Sequence, residues 1–147
     1  MRLLLSESEI KKRVKELADT ISKDYRDKTP IFIGILNGCY VFMADLLREL
    51  SIGVEVDFVK IRSYDGDSST GTIKFRKDIS ADIDDRHIVV VEDIIDSGFT
   101  INFLVNRLRE SGPKSVSVAS MLYKKEVAVL GTLGSYPPYV FTSSDMV

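Results

Sequence analysis

Cysteine and histidine are scarce in this sequence, which has one of each among 147 residues. The single cysteine, Cys39, excludes an internal disulfide framework and any zinc or iron–sulfur site built from several cysteines. The single histidine, His87, excludes a metal cluster built from several histidines. A net charge of −2 gives no general attraction for nucleic acid, which clustered Lys and Arg would provide. We therefore expect no nucleic-acid partner.

Long hydrophobic runs are also absent. The apolar stretches contain a handful of residues, whereas a membrane-spanning helix needs about 20. Leu3–Leu5 after Arg2 is too short for the core of a signal peptide, so we expect a cytoplasmic protein with no membrane contact. Hydrophobic residues make up 44% and charged residues 29%, which is typical of a soluble globular protein. A chain of this length corresponds to a single domain over residues 1–147.

Helix and strand patterns alternate along the chain. Ser6 and Glu9 have the spacing of a capping box, and apolar residues then recur at helical spacing as far as Tyr25. Residues 31–36 are apolar on both faces, which is typical of a central strand covered by helices on each side. Further strand patterns occupy residues 54–62, 73–75, 87–91 and 115–123, and further helical patterns follow in residues 41–50 and 101–108. From residue 136 onward we assign no complete element.

This alternation predicts an α/β fold, with a doubly wound, mostly parallel sheet and helices on both faces. Such sheets bind ligands at the carboxyl ends of their strands, near the point where the strand order reverses. We therefore expect the loops after Leu36, Arg62, Val91 and Tyr123 to lie along one edge of the sheet and to share a site.

Residues 92–100 are the most informative segment for chemistry. A buried strand leads into the carboxylates of Glu92 and Asp93, and Asp96 then precedes a turn of Ser97, Gly98, Phe99 and Thr100 that opens a helix. Backbone N–H groups at such a turn form an anion site, although the segment is neither a Walker loop nor a dinucleotide fingerprint. A ribose 5-phosphate would satisfy both ends, because carboxylates accept its hydroxyls while the turn holds its phosphate.

The run from Val89 to Thr100 closely resembles the phosphoribosyl pyrophosphate (PRPP) signature of the type I phosphoribosyltransferase family, particularly its hypoxanthine-guanine branch. Three further segments are similar to that family in the same order. Leu36–Gly38 resembles its pyrophosphate loop, residues 62–64 with 69–71 resemble its mobile catalytic loop, and residues 118–124 resemble its base-recognition strand and lysine. The resemblance covers roughly residues 5–126, and four collinear motifs are far more specific than one.

The resemblance implies a role for each matched residue around PRPP. Glu92 and Asp93 would bind the ribose hydroxyls and help to hold Mg²⁺, the expected cofactor. Ser97, Gly98, Phe99 and Thr100 would hold the 5-phosphate, and Asn37 and Gly38 would present backbone N–H groups to pyrophosphate. Ser63 and Tyr64 would belong to the mobile loop, which closes over the site and excludes water.

The resemblance also implies the chemistry at the base. Asp96 would lie near purine N7 as a general base. Lys124 would donate to the 6-oxo group, and Ile94 would contact the purine. The expected reaction transfers ribose 5-phosphate from PRPP to hypoxanthine or guanine, giving a purine nucleoside monophosphate and pyrophosphate. The family further implies a homodimer or homotetramer, whereas the preferred purine (hypoxanthine, guanine or xanthine) stays open.

Two departures from the family pattern bear on the site. The family usually has Lys where this sequence has Asn37, which removes one cation from the pyrophosphate loop. Residues 139–147 resemble a degenerate start of the C-terminal segment that covers the base, so we expect a domain without that complete segment. We also expect the PRPP site to be better retained than the purine site.

Three alternatives to a catalytic transferase stay open. A shortened, weakly active relative would bind PRPP or a nucleotide as a sensor. An RNA-binding regulator on the same scaffold would need a basic patch, for which the charge offers no support. Receiver-like phosphoacceptor domains also carry acidic residues at a strand end, but they explain neither the turn at residues 97–100 nor Lys124.

Overall fold

The computed structural model describes residues 6–64, 72–95, 98–123 and 138–142. Within these residues the chain forms six strands and three helices. In chain order they are α1 (Glu7–Asp24), β1 (Ile31–Leu36), α2 (Tyr40–Glu49), β2 (Glu55–Tyr64), β3 (Thr72–Lys77), β4 (His87–Ile95), α3 (Phe99–Arg109), β5 (Ser115–Tyr123) and β6 (Pro138–Thr142). None of the helices in this described part is long and apolar enough to cross a membrane.

The strands form a single sheet in the order β3-β2-β1-β4-β5-β6. The β2–β3 pair is antiparallel, and every other neighbouring pair is parallel. The chain runs outward from β1 to β2 on one side, and it returns to place β4 on the other side of β1. This reversal between β1 and β4 is the switch point of a doubly wound sheet, so the predicted fold class is confirmed.

Helices cover both faces of the sheet, as the apolar pattern of the central strands predicts. On one face Phe32 and Val89 pack with buried residues of α1 and α2. On the other face Ile33 and Val90 pack with buried residues of α3. Neighbouring residues of β1 and β4 thus serve opposite cores, which is why these strands are apolar at every position.

Gly34 allows α2 to pack closely against the sheet. A Cβ atom on this residue would lie 2.5 Å from Met43 Sδ and 2.8 Å from Cys39 Sγ. Both distances are far below van der Waals contact, so a larger residue would push α2 away from β1. Glycine at position 34 therefore allows the turn at residues 37–39, which leads from β1 into α2, to lie close to the sheet.

The structure extends two predicted strands and adds a third. β2 continues past Arg62 through Tyr64, so Ser63 and Tyr64 are strand residues paired with Ile73 and Thr72 of β3 rather than the start of a loop. β4 continues past Val91 through Ile95, which places the two carboxylates on the strand rather than after it.

The added strand, β6, pairs in parallel with β5 at the edge of the sheet. Its first residue is Pro138, and proline is tolerated at the start of an edge strand because its missing N–H is not needed there. From the sequence we assign no complete element after residue 136, and the structure adds this strand. The prolines at positions 137 and 138 interrupt the alternation of apolar and polar residues by which a strand is recognised in a sequence.

Asp57 anchors the connection from β3 to β4 against the sheet. Its buried carboxylate accepts backbone N–H groups of Ser80 (2.7 Å), Ala81 (2.9 Å) and Phe58 (2.7 Å). Lys77 Nζ lies 3.4 Å from the same carboxylate. Burial favours the neutral acid, but these backbone donors and the Lys77 charge outweigh it and lower the pKa of Asp57 below its ordinary value.

Candidate functional site

The carboxyl ends of four parallel strands meet along one edge of the sheet. Gly34 of β1 pairs with Phe58 of β2 and with Val91 of β4, and Val91 pairs with Ala119 of β5. Because the strands run in the same direction, their following residues emerge on the same side. This confirms the prediction that the ends of β1, β2, β4 and β5 share an edge.

The turn between β1 and α2 contacts the acidic residues of β4. A Cβ atom on Gly38 would lie 2.6 Å from Oδ2 and 2.8 Å from Cγ of Asp93. The backbone at Gly38 therefore rests directly against the Asp93 carboxyl group. The Leu36–Asn37 peptide bond that begins this turn is cis. The structure thus brings together one residue predicted to bind pyrophosphate and one predicted to bind ribose.

Glu92 and Asp93 form a closely coupled acidic pair. The backbone N–H of Asp93 donates to Glu92 Oε1 (2.9 Å), and that of Ile94 donates to Asp93 Oδ1 (2.7 Å). Burial, with the adjacent Asp93 carboxyl group adding to it, raises the pKa of Glu92 to about 8. A hydroxyl donor or a cation bound here would favour the charged form of Glu92, so the pair is suited to a ligand that brings either.

Cys39 lies in the same neighbourhood but is chemically inert. It is fully buried, and burial together with the negative charge of Glu92 raises the pKa of its thiol to about 11. The thiolate is the nucleophilic form of cysteine. Cys39 therefore packs beneath the turn as a neutral apolar residue and supplies no covalent chemistry.

The α3 N-terminus has the backbone geometry and the composition of an anion site. Its N-cap, Gly98, has φ of +89°, in the left-handed region that glycine adopts without strain. The first turn contains no acidic residue, and no side chain of the described residues caps it. The first-turn N–H groups and the helix dipole favour negative charge at such an end. Thr100 is half-buried there, while Phe99 is 59% exposed.

Several predicted site residues fall outside what the structure describes. Asp96, Ser97 and Lys124 lie outside the described residues, so their roles stay predictions. Ile94, predicted to contact the purine, is described and is 40% exposed on β4. Its side chain is therefore accessible to a ligand at this edge.

Ser120 is a contact of the acidic pair to which the sequence alone assigns no role. It is fully buried on β5, where it pairs with Glu92, and its Oγ donates to the carbonyl oxygen of Asp93 at 3.4 Å. This bond joins β5 to the strand that carries the carboxylates. The available signal in the sequence is that Ser120 lies between the apolar residues Ala119 and Met121 of β5.

The acidic pair fits a magnesium ion that is shared with a phosphorylated ligand. Carboxylate oxygens are preferred ligands of Mg²⁺, which usually binds proteins through one or two carboxylates and takes its remaining ligands from phosphates and water. Among the described residues, no group of three or more His, Cys, Asp or Glu could hold a metal. Glu92 and Asp93 would therefore need oxygen atoms of the ligand to complete the coordination.

Comparison with protein families identifies the class of protein. Residues 4–129 match the phosphoribosyl transferase domain, a span that contains the turn at residues 37–39, the acidic pair and the α3 N-terminus. The chain belongs to this family. The resemblance drawn from the four sequence motifs is thereby confirmed, together with its fold.

Individual relatives narrow the comparison to one branch. The chain is 36% identical over 139 residues to the hypoxanthine-guanine phosphoribosyltransferase of Streptococcus pyogenes serotype M3, covering 94% of this chain and 77% of the relative. It is 40% identical over 123 residues to the hypoxanthine-guanine-xanthine phosphoribosyltransferase of Tritrichomonas foetus, covering 84% and 67%. A crystal structure of the Bacillus anthracis hypoxanthine-guanine phosphoribosyltransferase superposes with a TM-score of 0.89 at 34% identity, covering 99% of this chain and 85% of that one.

Proposed function

We propose that this protein transfers ribose 5-phosphate from PRPP to a 6-oxopurine base and releases pyrophosphate. The contact between Gly38 and the Asp93 carboxylate is the observation that carries the proposal. PRPP bears pyrophosphate on the ribose carbon next to the one that bears the 2-hydroxyl. A protein that binds both groups needs its pyrophosphate turn and its hydroxyl-accepting carboxylates side by side, as Gly38 and Asp93 are.

We assign the binding of the other end of PRPP, its 5-phosphate, to α3. The 5-phosphate would lie at the helix N-terminus, held by the backbone N–H groups of residues 97–100 and by the Ser97 and Thr100 hydroxyls. Gly98 allows the backbone to turn toward the phosphate without a side chain in the way. Gly98 lies five positions after Asp93 along the chain, so one continuous segment would bind both ends of the pentose.

The residues that follow the acidic pair and β5 would handle the base. Asp96 would accept or hold the proton at purine N7 while the base attacks the anomeric carbon. Lys124 would donate to the 6-oxo oxygen and so disfavour adenine, whose amino group offers no acceptor at that position. Ile94, exposed on β4, would contact the purine ring.

The acidic pair would also bind the cofactor. Glu92 and Asp93 would hold Mg²⁺, which neutralises the charge of the leaving pyrophosphate. Without a lysine at position 37, the turn would contact pyrophosphate through the N–H groups of Asn37 and Gly38. Ser63 and Tyr64, at the end of β2, would precede the loop that closes over the site during the reaction.

Relatives at 36–40% identity that are named for hypoxanthine and guanine support these two bases as the substrates and the corresponding nucleoside monophosphates as products. One of these names also includes xanthine, so xanthine belongs in the substrate panel. We further propose that the protein forms a homodimer or homotetramer, which light scattering on the purified chain would test.

The decisive experiment measures pyrophosphate release from PRPP and Mg²⁺ with hypoxanthine, guanine, xanthine or adenine. We expect release that depends on hypoxanthine or guanine, with adenine near background. Calorimetry with PRPP alone provides the companion measurement. Tight PRPP binding without purine-dependent pyrophosphate release would show that the protein is a PRPP-binding module and not a transferase. Failure of both assays would contradict the proposed PRPP site.

A further inference from the structure

A cavity lies at the amino-terminal edge of the sheet, at the opposite ends of β4 and β5 from the proposed active site. Its volume is about 540 Å³, and it is open to solvent, within the usual size range of small-molecule sites. It lies between the end of α1, the start of β4 and the start of β5. Its charged and polar lining includes Asp24, Lys28, His87, Arg109, Lys114 and Ser115.

Positive charge predominates in the lining of this cavity. Lys28 and Lys114 approach it from two different connections, and Asp24 is the one acidic residue among the lining residues. No carboxylate of the described residues forms an ion pair with either lysine. Neither ammonium group is therefore held in a direct ion pair by the described part of the protein, and Asp24 is the carboxylate that shares the cavity lining with them.

His87 forms an ordered polar wall of the cavity. Its Nδ1 hydrogen-bonds with Ser115 Oγ at 2.6 Å, and its ring packs edge-on against Tyr25 at 5.8 Å between centroids. The buried hydroxyls of Tyr25 and Ser117 hydrogen-bond at 2.7 Å. The imidazole is thus held by Tyr25, at the C-cap of α1, and by Ser115 of β5.

Both lysines act electrostatically on this imidazole. Partial burial, followed by the charges of Lys28 and Lys114, lowers the pKa of His87, while Asp85 opposes them. The uncharged ring can therefore hydrogen-bond with a ligand at neutral pH without adding a further positive charge to the cavity. Two ammonium groups beside a fixed imidazole and a serine hydroxyl match the donor pattern that binds a phosphate group.

We propose that this cavity binds a small phosphate-bearing anion, with Lys28 and Lys114 as its principal ligands. The site is separate from the proposed PRPP site, because His87 lies five residues before Glu92 on β4, a distance of about 16 Å along an extended strand. Ligand bound here would contact the start of the strand whose other end carries the acidic pair. The proposal does not depend on the transferase activity.

The single histidine of the chain provides a probe located in this cavity. We would record the imidazole resonances of His87 by NMR while adding inorganic phosphate at constant pH, with sodium chloride matching the ionic strength. We expect a saturable shift with phosphate, and its apparent Kd should rise at least tenfold in the double variant Lys28→Ala/Lys114→Ala. Lys11→Ala/Lys12→Ala, on the exposed side of α1, serves as the charge-matched control and should bind as the unmodified protein does.

A pH titration of His87 gives a second readout. A bound dianion would offset Lys28 and Lys114, and it would add to the opposing effect of Asp85, so saturating phosphate should raise the pKa of His87. Three results would overturn the site: an unmoved resonance, a non-saturating shift that chloride reproduces, or equal affinity in the double variant. Phosphate binding at the PRPP site would leave the His87 signals unchanged, so the two sites are distinguishable.

Discussion

The backbone of Gly38 lies so close to the carboxylate of Asp93 that no side chain fits between them. A Cβ atom at position 38 would be 2.6 Å from Asp93 Oδ2 and 3.0 Å from Oδ1. The contact joins the turn after β1 to the end of β4. It sets the distance between the groups proposed to bind pyrophosphate and those proposed to bind the ribose hydroxyls.

Gly38→Ala should therefore damage the site more than the fold. The Asp93 side chain would have to rotate away from the added methyl group, which displaces its oxygens from the ribose. Misplacement of about 1 Å at a reacting site costs up to about 100-fold in rate, so we expect kcat/KM for PRPP to fall about 10- to 100-fold. Steady-state kinetics at varied PRPP, with a thermal melt of the same sample, measures both effects.

Gly53→Ala is the matched control for that substitution. A Cβ atom at Gly53 would meet nothing within 4 Å, so the change should leave kcat/KM within about twofold. Replacing glycine by alanine where the backbone permits it adds about 0.4–1 kcal/mol of stability. Full activity in Gly38→Ala would show that the Asp93 carboxylate need not occupy its observed position.

Asp96→Asn should lower turnover while PRPP binding changes little. An amide cannot take a proton from purine N7, and general acid–base catalysis contributes about 100- to 10,000-fold. We expect kcat to fall at least about 100-fold and calorimetry to give a PRPP affinity near that of the unmodified protein. Asp82→Asn, an exposed position on the connection before β4, should keep full activity. Unchanged turnover in Asp96→Asn would remove Asp96 from the reaction.

Lys124→Ala should relax the preference for 6-oxopurines. A hydrogen bond from a charged donor is worth about 1.5–3 kcal/mol, so the ratio of kcat/KM for hypoxanthine over adenine should fall about 10- to 100-fold. The neighbouring Lys125→Ala variant removes the same charge one residue along and should keep the original ratio. Equal ratios in the two variants would contradict the proposed contact with the 6-oxo group.

Asp57 should make stability depend on pH in the acid range. Its pKa is lower in the folded protein than its ordinary value, so its charged form stabilises the fold above the unfolded-state pKa. That contribution disappears as the pH falls through the folded-state value. Melting temperatures of the unmodified protein and Asp57→Asn should therefore differ most near pH 7 and converge toward pH 3.

At neutral pH the asparagine variant should be about 1–3 kcal/mol less stable, because its amide NH₂ cannot accept one of the backbone N–H groups that the carboxylate accepts. Asp19→Asn, which loses one exposed ion pair with Lys15, should change stability by less than about 0.5 kcal/mol. A constant difference between Asp57→Asn and the unmodified protein from pH 7 to pH 3 would contradict the assigned role of the charge.

Local sequence patterns predict which helices and strands this fold contains better than they predict the residues at which those helices and strands end. The apolar runs of β1 and β4 predict a sheet covered on both faces, because burial on two sides removes polar residues from a strand. The same apolar pattern does not predict the residues at which β2 and β4 end. Ser63, Tyr64 and Glu92 are polar or aromatic, and they belong to strands because each pairs with a residue of a neighbouring strand.

In the candidate site, too, features formed by residues close together in the sequence can be predicted, whereas contacts between distant residues cannot. The acidic pair and the α3 N-terminus lie within one segment of the sequence, so a ligand site shared between them is predicted from consecutive residues alone. The contact of Gly38 with Asp93 joins residues 55 positions apart, and Ser120 reaches Asp93 from another strand. Neither contact leaves a signal in local spacing, since each depends on how the sheet is assembled.

The central position of β1 also governs how the chain reaches this structure. Ile31 pairs with Glu55 on one side and with Ile88 on the other, so β1 gains its second neighbour only after more than 50 further residues have been synthesised. Until then an apolar strand edge is open to pairing with other molecules. We expect folding to be slow for a chain of this size, because distant segments must meet before the sheet closes. During synthesis, aggregation should be greatest while β4 is still within the ribosome.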